Sequence, residues 1–410
     1  MRLIPRHYLA LLSNRDFFLL ISIIFIGQLA TSFLMLSLVV SVFAKTGSNF
    51  GVSGVVLSFT VPGFLLMAVA GLSADIIDRK KIIVFANAII TLVVFLILIS
   101  QKAVYASIPL SFLYFAGNTF FLPASSAASG QLVRRKQLLI ANSIFIFTLS
   151  SGMILGLFAA AIVHFFFGNQ VTLAVCGILL VIAAMLSVLL PSLLPQKSRD
   201  HSIAKTLADI GRAFIYIFNQ KIVWFFFLVF AFMQGIVAFG VTLALGFFDE
   251  VVGLSINKSP IFVMPLIGLG VLFGLIFVHS VKAKEGRLVT YGTGSMGFST
   301  LILGLILRFD LVVERLLLLP VAFFLVLLGF GVIVSVIASR TVLQKKVAHN
   351  FQGTVFGANI LLASFLAGVM SPSAAGIEAL LGYVNVLVLA GLGFLTLSAL
   401  SSQLSNSWKF

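Results

Sequence analysis

Two pairs of polar residues stand four positions apart inside long apolar runs: Gln28 with Ser32, and Tyr114 with Asn118. On a helix that spacing puts both members of a pair on one face, where neutral donors and acceptors can meet a ligand or a neighbouring helix. Gln234 and Ser335 are polar residues in similarly apolar surroundings. The titratable groups are placed differently. All eleven Asp and Glu residues fall at or near the ends of apolar runs. Asp249 and Glu250 are drawn inward if their run starts late, near Trp224 or Leu228, and His164 sits toward the end of another run. These three are the candidate proton sites; their alternative roles are loop carboxylates and an interfacial imidazole. His7, His201 and His349 are dispersed among polar breaks. No His, Cys and carboxylate cluster has metal-ligand spacing, and no Gly-x-x-x-x-Gly-Lys-Ser/Thr loop is present. The expected chemistry is therefore reversible binding, with no catalytic residues, no cofactor and no metal.

Those polar residues must be positioned by membrane helices. Hydrophobic residues make up 61% of the 410-residue chain and charged residues 9%, a balance no water-facing surface tolerates. A helix needs roughly 20 apolar residues to cross a hydrocarbon core of about 30 Å. Backbone groups in lipid must satisfy one another, so runs of that length are helices. Twelve runs are expected, at about 17–44, 51–74, 82–100, 104–131, 138–167, 170–194, 222–248, 260–281, 287–308, 312–339, 350–377 and 381–403. Cys176 is the single cysteine, so no intramolecular disulfide can form.

A net charge of +15 raises the question of a nucleic-acid partner, but the cations sit in the breaks between runs. Alternate breaks divide them unequally. One set holds Arg2, Arg6, Arg15, Arg79, Lys80, Lys81, Arg134, Arg135, Lys136, Lys197, Arg199, Lys205, Arg212, Lys221, Lys282, Lys284, Arg287, Arg340, Lys345, Lys346 and Lys409. The other holds only Lys45, Lys102, Lys258, Arg308 and Arg315. By the positive-inside rule both termini are expected in the cytoplasm. The longest break, Pro195 to Lys221, separates two halves of six runs each. The expected organisation is a bundle over 1–194, a cytoplasmic linker over 195–221 and a second bundle over 222–410. Ile203, Leu207 and Ile210 would give the linker an apolar side along the membrane surface. Such paired bundles are common in transporters, with the substrate site near the midplane.

The break between runs two and three reads Gly71, Leu72, Ser73, Ala74, Asp75, Ile76, Ile77, Asp78, Arg79, Lys80, Lys81. It resembles the signature loop of the major facilitator superfamily, and its Asp-Arg-Lys-Lys ending resembles the macrolide-efflux and enterobactin-exporter branch. Three further stretches are similar to that branch. They are Ser13 to Phe17 with Gly27-Gln28, then Phe121-Leu122-Pro123-Ala124 with Leu132-Val133 and Ala141-Asn142, then Arg340, Gln344 and Gly353 to Gly357. The resemblance implies an all-α membrane protein of twelve transmembrane helices in two six-helix bundles. It implies a secondary exporter working by alternating access as a monomer in the plasma membrane. Gly71, Asp75, Asp78 and Arg79 would then form a conformational latch.

In that family the first and fourth spans of each half line the cavity. The resemblance therefore makes Gln28, Ser32, Tyr114, Asn118, Gln234 and Ser335 the cavity candidates. Each also suits a helix–helix hydrogen bond with no ligand. The set is neutral, lies among abundant Phe, and has no Arg or Lys within the spans, which points to lipophilic or amphipathic cargo rather than small anions. Two departures bear on coupling. Met35 stands where exporters of this branch commonly carry an acid, and Gly156 to Ala161 lacks the Pro and later Gly of the antiporter signature. The expected partners are a small-molecule substrate, membrane lipids and protons as the coupling ion, with no nucleic acid. An uncoupled facilitator or lipid flippase, and a non-transporting scaffold or sensor, are the alternatives.

Overall fold

The computed structural model describes residues 11, 13–100, 104–134, 137–195, 203–281, 283–313, 316–347 and 352–407. Arg2, Arg6, Lys102, Arg135, Lys136, Lys197, Arg199, Lys282, Arg315 and Lys409 of the charge tally lie outside the described residues, as do His7, His201 and His349. So do the side chains of Ile203, Leu207 and Ile210.

The chain forms helices α1 (Arg15–Thr46), α2 (Asn49–Ile76), α3 (Arg79–Ile99), α4 (Val104–Gln131) and α5 (Leu138–Val188). After these come α6 (Ile203–Phe218), α7 (Lys221–Gly246), a π-helical turn (Phe247–Val251), α8 (Ser259–Ser280), α9 (Glu285–Arg308), α10 (Leu318–Lys346) and α11 (Gln352–Ser407). Nine of these are long and apolar enough to cross a membrane. Helix α4 has the length, 28 residues, but carries Pro109, Pro123 and several serines.

Helices α5 and α11 are each two crossings folded back on themselves. Gly168 (φ 77°, ψ −179°) and Gly382 (φ 74°, ψ 161°) interrupt them with backbone angles that only glycine adopts readily. The contacts of α1 prove the reversal in α5. A Cβ on Gly152 or Gly156 would meet Gln28 or Ser32, so the first arm runs parallel to α1. Cys176 Sγ donates to the Ala30 carbonyl at 3.2 Å, and Ser37 Oγ to Asn169 Oδ1 at 2.7 Å, so the second arm runs antiparallel to it. In α11 the first arm follows α7, with Asn359 Nδ2 on the Phe227 carbonyl and Thr242 against Ser371. The second arm returns along α9, with Leu395 beside Gly297 and Ser405 beside Gly286. With both hairpins counted, the described residues supply twelve membrane-length segments.

The chain divides into two compact units, one of residues 1–45 and 57–207 and the other of 46–56 and 208–410. In the first, one end of the core gathers Phe17, Leu20 and Ile24 of α1, Ile83 and Ala86 of α3, Phe121 and Ala124 of α4, and Ala183 of α5. In the second, one end gathers Phe226, Val289, Met296, Val334 and Phe394, and the opposite end gathers Phe247, Val263, Leu303, Val321 and Val386. Opposite faces of these helices are also apolar. Phe85, Leu92 and Ile99 recur every seven residues along α3 and are exposed, while Ile83, Ile90 and Ile97 are buried. That pattern suits a helix with protein on one side and lipid on the other.

Candidate functional site

In the first unit the cavity candidates separate by accessibility. Tyr114 is fully buried, and its hydroxyl lies 3.0 Å from Thr31 Oγ1. That bond joins the antiparallel α1 and α4. At about 1.5 Å of rise per residue, it brings Gln28, three residues back on α1, level with Asn118, four residues on along α4. Gln28 and Asn118 are half-buried, and neither amide is hydrogen-bonded to another described residue. Ser32 is enclosed: its hydroxyl donates within reach of the Gln28 and Met153 carbonyls, at 3.0 and 3.1 Å. The first arm of α5 covers it, because Gly156 lets the Ser32 side chain and the Leu29 backbone approach closely.

In the second unit Gln234 is exposed between two core-facing residues, buried Met233 and Gly235, the latter packed on Leu366 and Met370. Ser335 is fully buried against Gly292 at the contact between α9 and α10. The structure thus leaves Gln28, Asn118 and Gln234 accessible and places Ser32, Tyr114 and Ser335 in helix contacts.

The loop between α2 and α3 is built around Asp78, which is 8% exposed. Its Oδ1 accepts from Lys80 N (3.0 Å), capping α3, and from Leu193 N (2.9 Å). Its Oδ2 accepts from Ser192 Oγ at 2.7 Å. Burial alone would raise the Asp78 pKa, but these three donors and the nearby Lys81 cation outweigh it and hold the carboxyl below its ordinary value. Arg79 completes the join. Its Nε donates to the Ala74 carbonyl and its guanidinium to Gln131 Oε1 at 2.7 Å, while Gln131 Nε2 reaches the Leu194 carbonyl. Asp78 and Arg79 therefore tie together the α2–α3 loop, the end of α4 and the segment after α5, all inside one unit. Asp75 is half-buried four residues after Gly71, and among the described residues its carboxylate takes no hydrogen bond.

Of the candidate proton sites, His164 is buried in the first arm of α5. Asp249 and Glu250 are exposed on the π-helical turn, whose Phe247 and Phe248 anchor it in the core. Sequence reasoning missed what stands beside that turn. Asn49 Nδ2 donates to Glu378 Oε2 (2.9 Å) and to the Tyr383 hydroxyl oxygen (2.7 Å), and Gly246 leaves room for the Asn49 amide and the Tyr383 hydroxyl. Glu378 and Asp249 lie within electrostatic range of Glu250. In the sequence Asn49 and Glu378 fall in the short breaks at 45–50 and 378–380, which marked them only as loop residues. Among the described residues no His, Cys and carboxylate group could hold a metal ion.

Comparisons with known proteins agree with this architecture. The sequence model of the Major Facilitator Superfamily matches residues 18–372. No curated protein matches the sequence significantly. Among solved structures, the nucleoside transporter NupG is similar with a TM-score of 0.72 at 13% identity, over 95% of this chain and 98% of that one. The POT family transporter PepTSo is similar with a TM-score of 0.73 at 12% identity, over 96% and 98%. A POT family transporter in complex with 5-aminolevulinic acid gives 0.75 at 12% identity, over 96% of both chains. At such identities these likenesses concern the fold. With twelve membrane-length segments, two compact units and a family match across most of its length, the chain belongs to the Major Facilitator Superfamily and is a multi-pass membrane transporter.

Proposed function

We propose that the protein is a proton-coupled exporter of lipophilic or amphipathic small molecules, acting by alternating access in the plasma membrane. In this reading it is a monomer with both termini in the cytoplasm, akin to the macrolide-efflux and enterobactin-exporter branch. The supporting observation is the character of the accessible polar groups. Gln28, Asn118 and Gln234 are neutral and sit in helices rich in Phe, with no Arg or Lys inside the same spans. Amides of this kind orient a cargo held mainly by apolar contact. Gly71 and Asp75 serve as the latch, with Asp78 and Arg79 holding the loop in shape. Glu250, Asp249 and His164 are the proposed proton sites.

A second reading, an uncoupled facilitator or flippase, is favoured by one specific observation. The carboxylates of the described membrane-length segments lie at or near the ends of those segments.

Efflux of a lipophilic fluorescent dye from everted vesicles separates the two. The coupled exporter predicts that a protonophore abolishes transport and that Glu250→Gln reduces it at least tenfold with unchanged protein yield. Transport indifferent to both would replace the first reading with the second. No flux of any lipophilic probe would leave the scaffold or sensor.

A further inference from the structure

At the basic end of the second unit, a cleft of about 140 Å³ opens between α9 and the returning arm of α11. Its lining is Arg287, Thr290, Tyr291, Ser402 and Ser405: one guanidinium, four hydroxyls and no carboxylate. Thr290 directs its own proton to the Gly286 carbonyl (3.1 Å) or to Ser401 Oγ (3.2 Å). The remaining donors are uncommitted. Among the described residues, the Arg287 guanidinium and the hydroxyls of Tyr291, Ser402 and Ser405 have no hydrogen-bond partner. The neighbouring carboxylate, Glu285, is engaged by Lys345 at 2.6 Å, so it does not neutralise Arg287. A guanidinium converging with hydroxyl donors is the arrangement that binds phosphate oxygens.

The surroundings indicate which phosphate. Tyr291 is 47% exposed, with its ring edge against Phe277. Along the same face of α9, at seven-residue steps, Phe298 and Leu305 are also exposed. The polar cleft is therefore continuous with an apolar strip long enough to follow an acyl chain, and it opens at the membrane-interface end of the helix. Basic pockets between transmembrane helices at such ends suit anionic headgroups. The lining offers no acid to receive the ammonium of a zwitterionic lipid.

We propose that this cleft is a binding site for the phosphate of an anionic glycerophospholipid, with Arg287 as its charge partner and Tyr291 and Ser402 as its neutral donors. The site is built from one unit alone and shares no residue with Gln28, Asn118 and Gln234. The test uses the full-length chain purified in neutral detergent, with native mass spectrometry after exposure to phosphatidylglycerol, phosphatidylcholine or inorganic phosphate. The wild type is expected to retain phosphatidylglycerol in preference to phosphatidylcholine. Arg287→Gln should weaken that retention about tenfold, as for loss of one charge-assisted contact. Arg308→Gln, at the other end of α9, should leave it unchanged. Should Arg287→Gln fail to fold, Tyr291→Phe with Ser402→Ala provides the same comparison. Equal retention of phosphatidylglycerol by wild type and the cleft variants would overturn the proposal. So would equal retention of phosphatidylcholine, or displacement of the lipid by millimolar inorganic phosphate, which would make the cleft a site for the free anion.

Discussion

Asp78→Ala is expected to lower the thermal unfolding midpoint of the detergent-purified protein sharply, at a cost of about 3 kcal/mol. The carboxylate is buried and accepts from Ser192 Oγ, Leu193 N and Lys80 N. Alanine leaves all three donors unsatisfied and removes the cap of α3. Asp78→Asn should cost roughly half as much, because one amide oxygen can still accept from the two backbone N–H groups. The ionised carboxylate adds a pH signature. Its folded pKa lies below the ordinary value of 3.8, so its contribution is complete above that value and is lost as pH falls through the lower folded one. The gap in midpoint between wild type and Asp78→Asn should thus be constant from about pH 8 to pH 5 and shrink below about pH 4. A gap that changes between pH 5 and 8 would mean that another group titrates in the network.

Gly270→Ala should be as damaging for a different reason. Helices α8 and α10 cross with their backbones in contact. A Cβ at Gly270 would overlap the Val326 carbonyl oxygen and approach Phe330 N, and one at Gly329 would overlap the Ile267 carbonyl oxygen. These obstacles are backbone atoms, which no rotamer change can move, so the helices must separate along their length. A cost of about 3 kcal/mol is expected, at the upper end for overpacking by one methyl group. Size-exclusion chromatography should show loss of the monodisperse peak for Gly270→Ala and for Gly329→Ala. Both disturb one crossing, so their combination should cost less than the sum. Gly393→Ala, where a Cβ meets nothing within 4 Å, should behave as wild type. If Gly270→Ala also behaves as wild type, α8 and α10 do not cross in the way described here.

Much of this fold can be read from the chain because lipid imposes so simple a rule. Each crossing needs an uninterrupted apolar run, and the breaks collect the charges. Gly168 and Gly382 sit in or just after the shortest breaks, where a single residue of unusual backbone conformation does the work of a loop. The orientation of each helix about its own axis is another matter. Both faces of α3 are apolar, so periodicity cannot tell Ile90, which is buried, from Leu92, which is exposed.

Polar spacing carried the site only part of the way. It marked Gln28 and Ser32 alike, yet Gly156 on a distant helix decides that Ser32 is covered. Two of the three partners of Asp78 lie 114 and 115 residues along the chain, a separation that no local pattern encodes. The signature loop drew attention to Asp75, whereas within the unit Asp78 carries the hydrogen bonds. Asn49 and Tyr383 escaped notice because their meeting depends on where α2 begins and on the turn at Gly382.

The central claim is that neutral polar groups on α1, α4 and α7 bind lipophilic cargo. Its most direct test is flux into proteoliposomes containing the purified chain, comparing an amphipathic dye with a small sugar phosphate. Wild type should carry the dye saturably and not the sugar phosphate, and the combined change Gln28→Ala, Asn118→Ala and Gln234→Ala should slow dye flux at least tenfold while leaving the unfolding midpoint in place. Wild-type flux of the sugar phosphate without the dye, or undiminished dye flux in the triple variant, would contradict it.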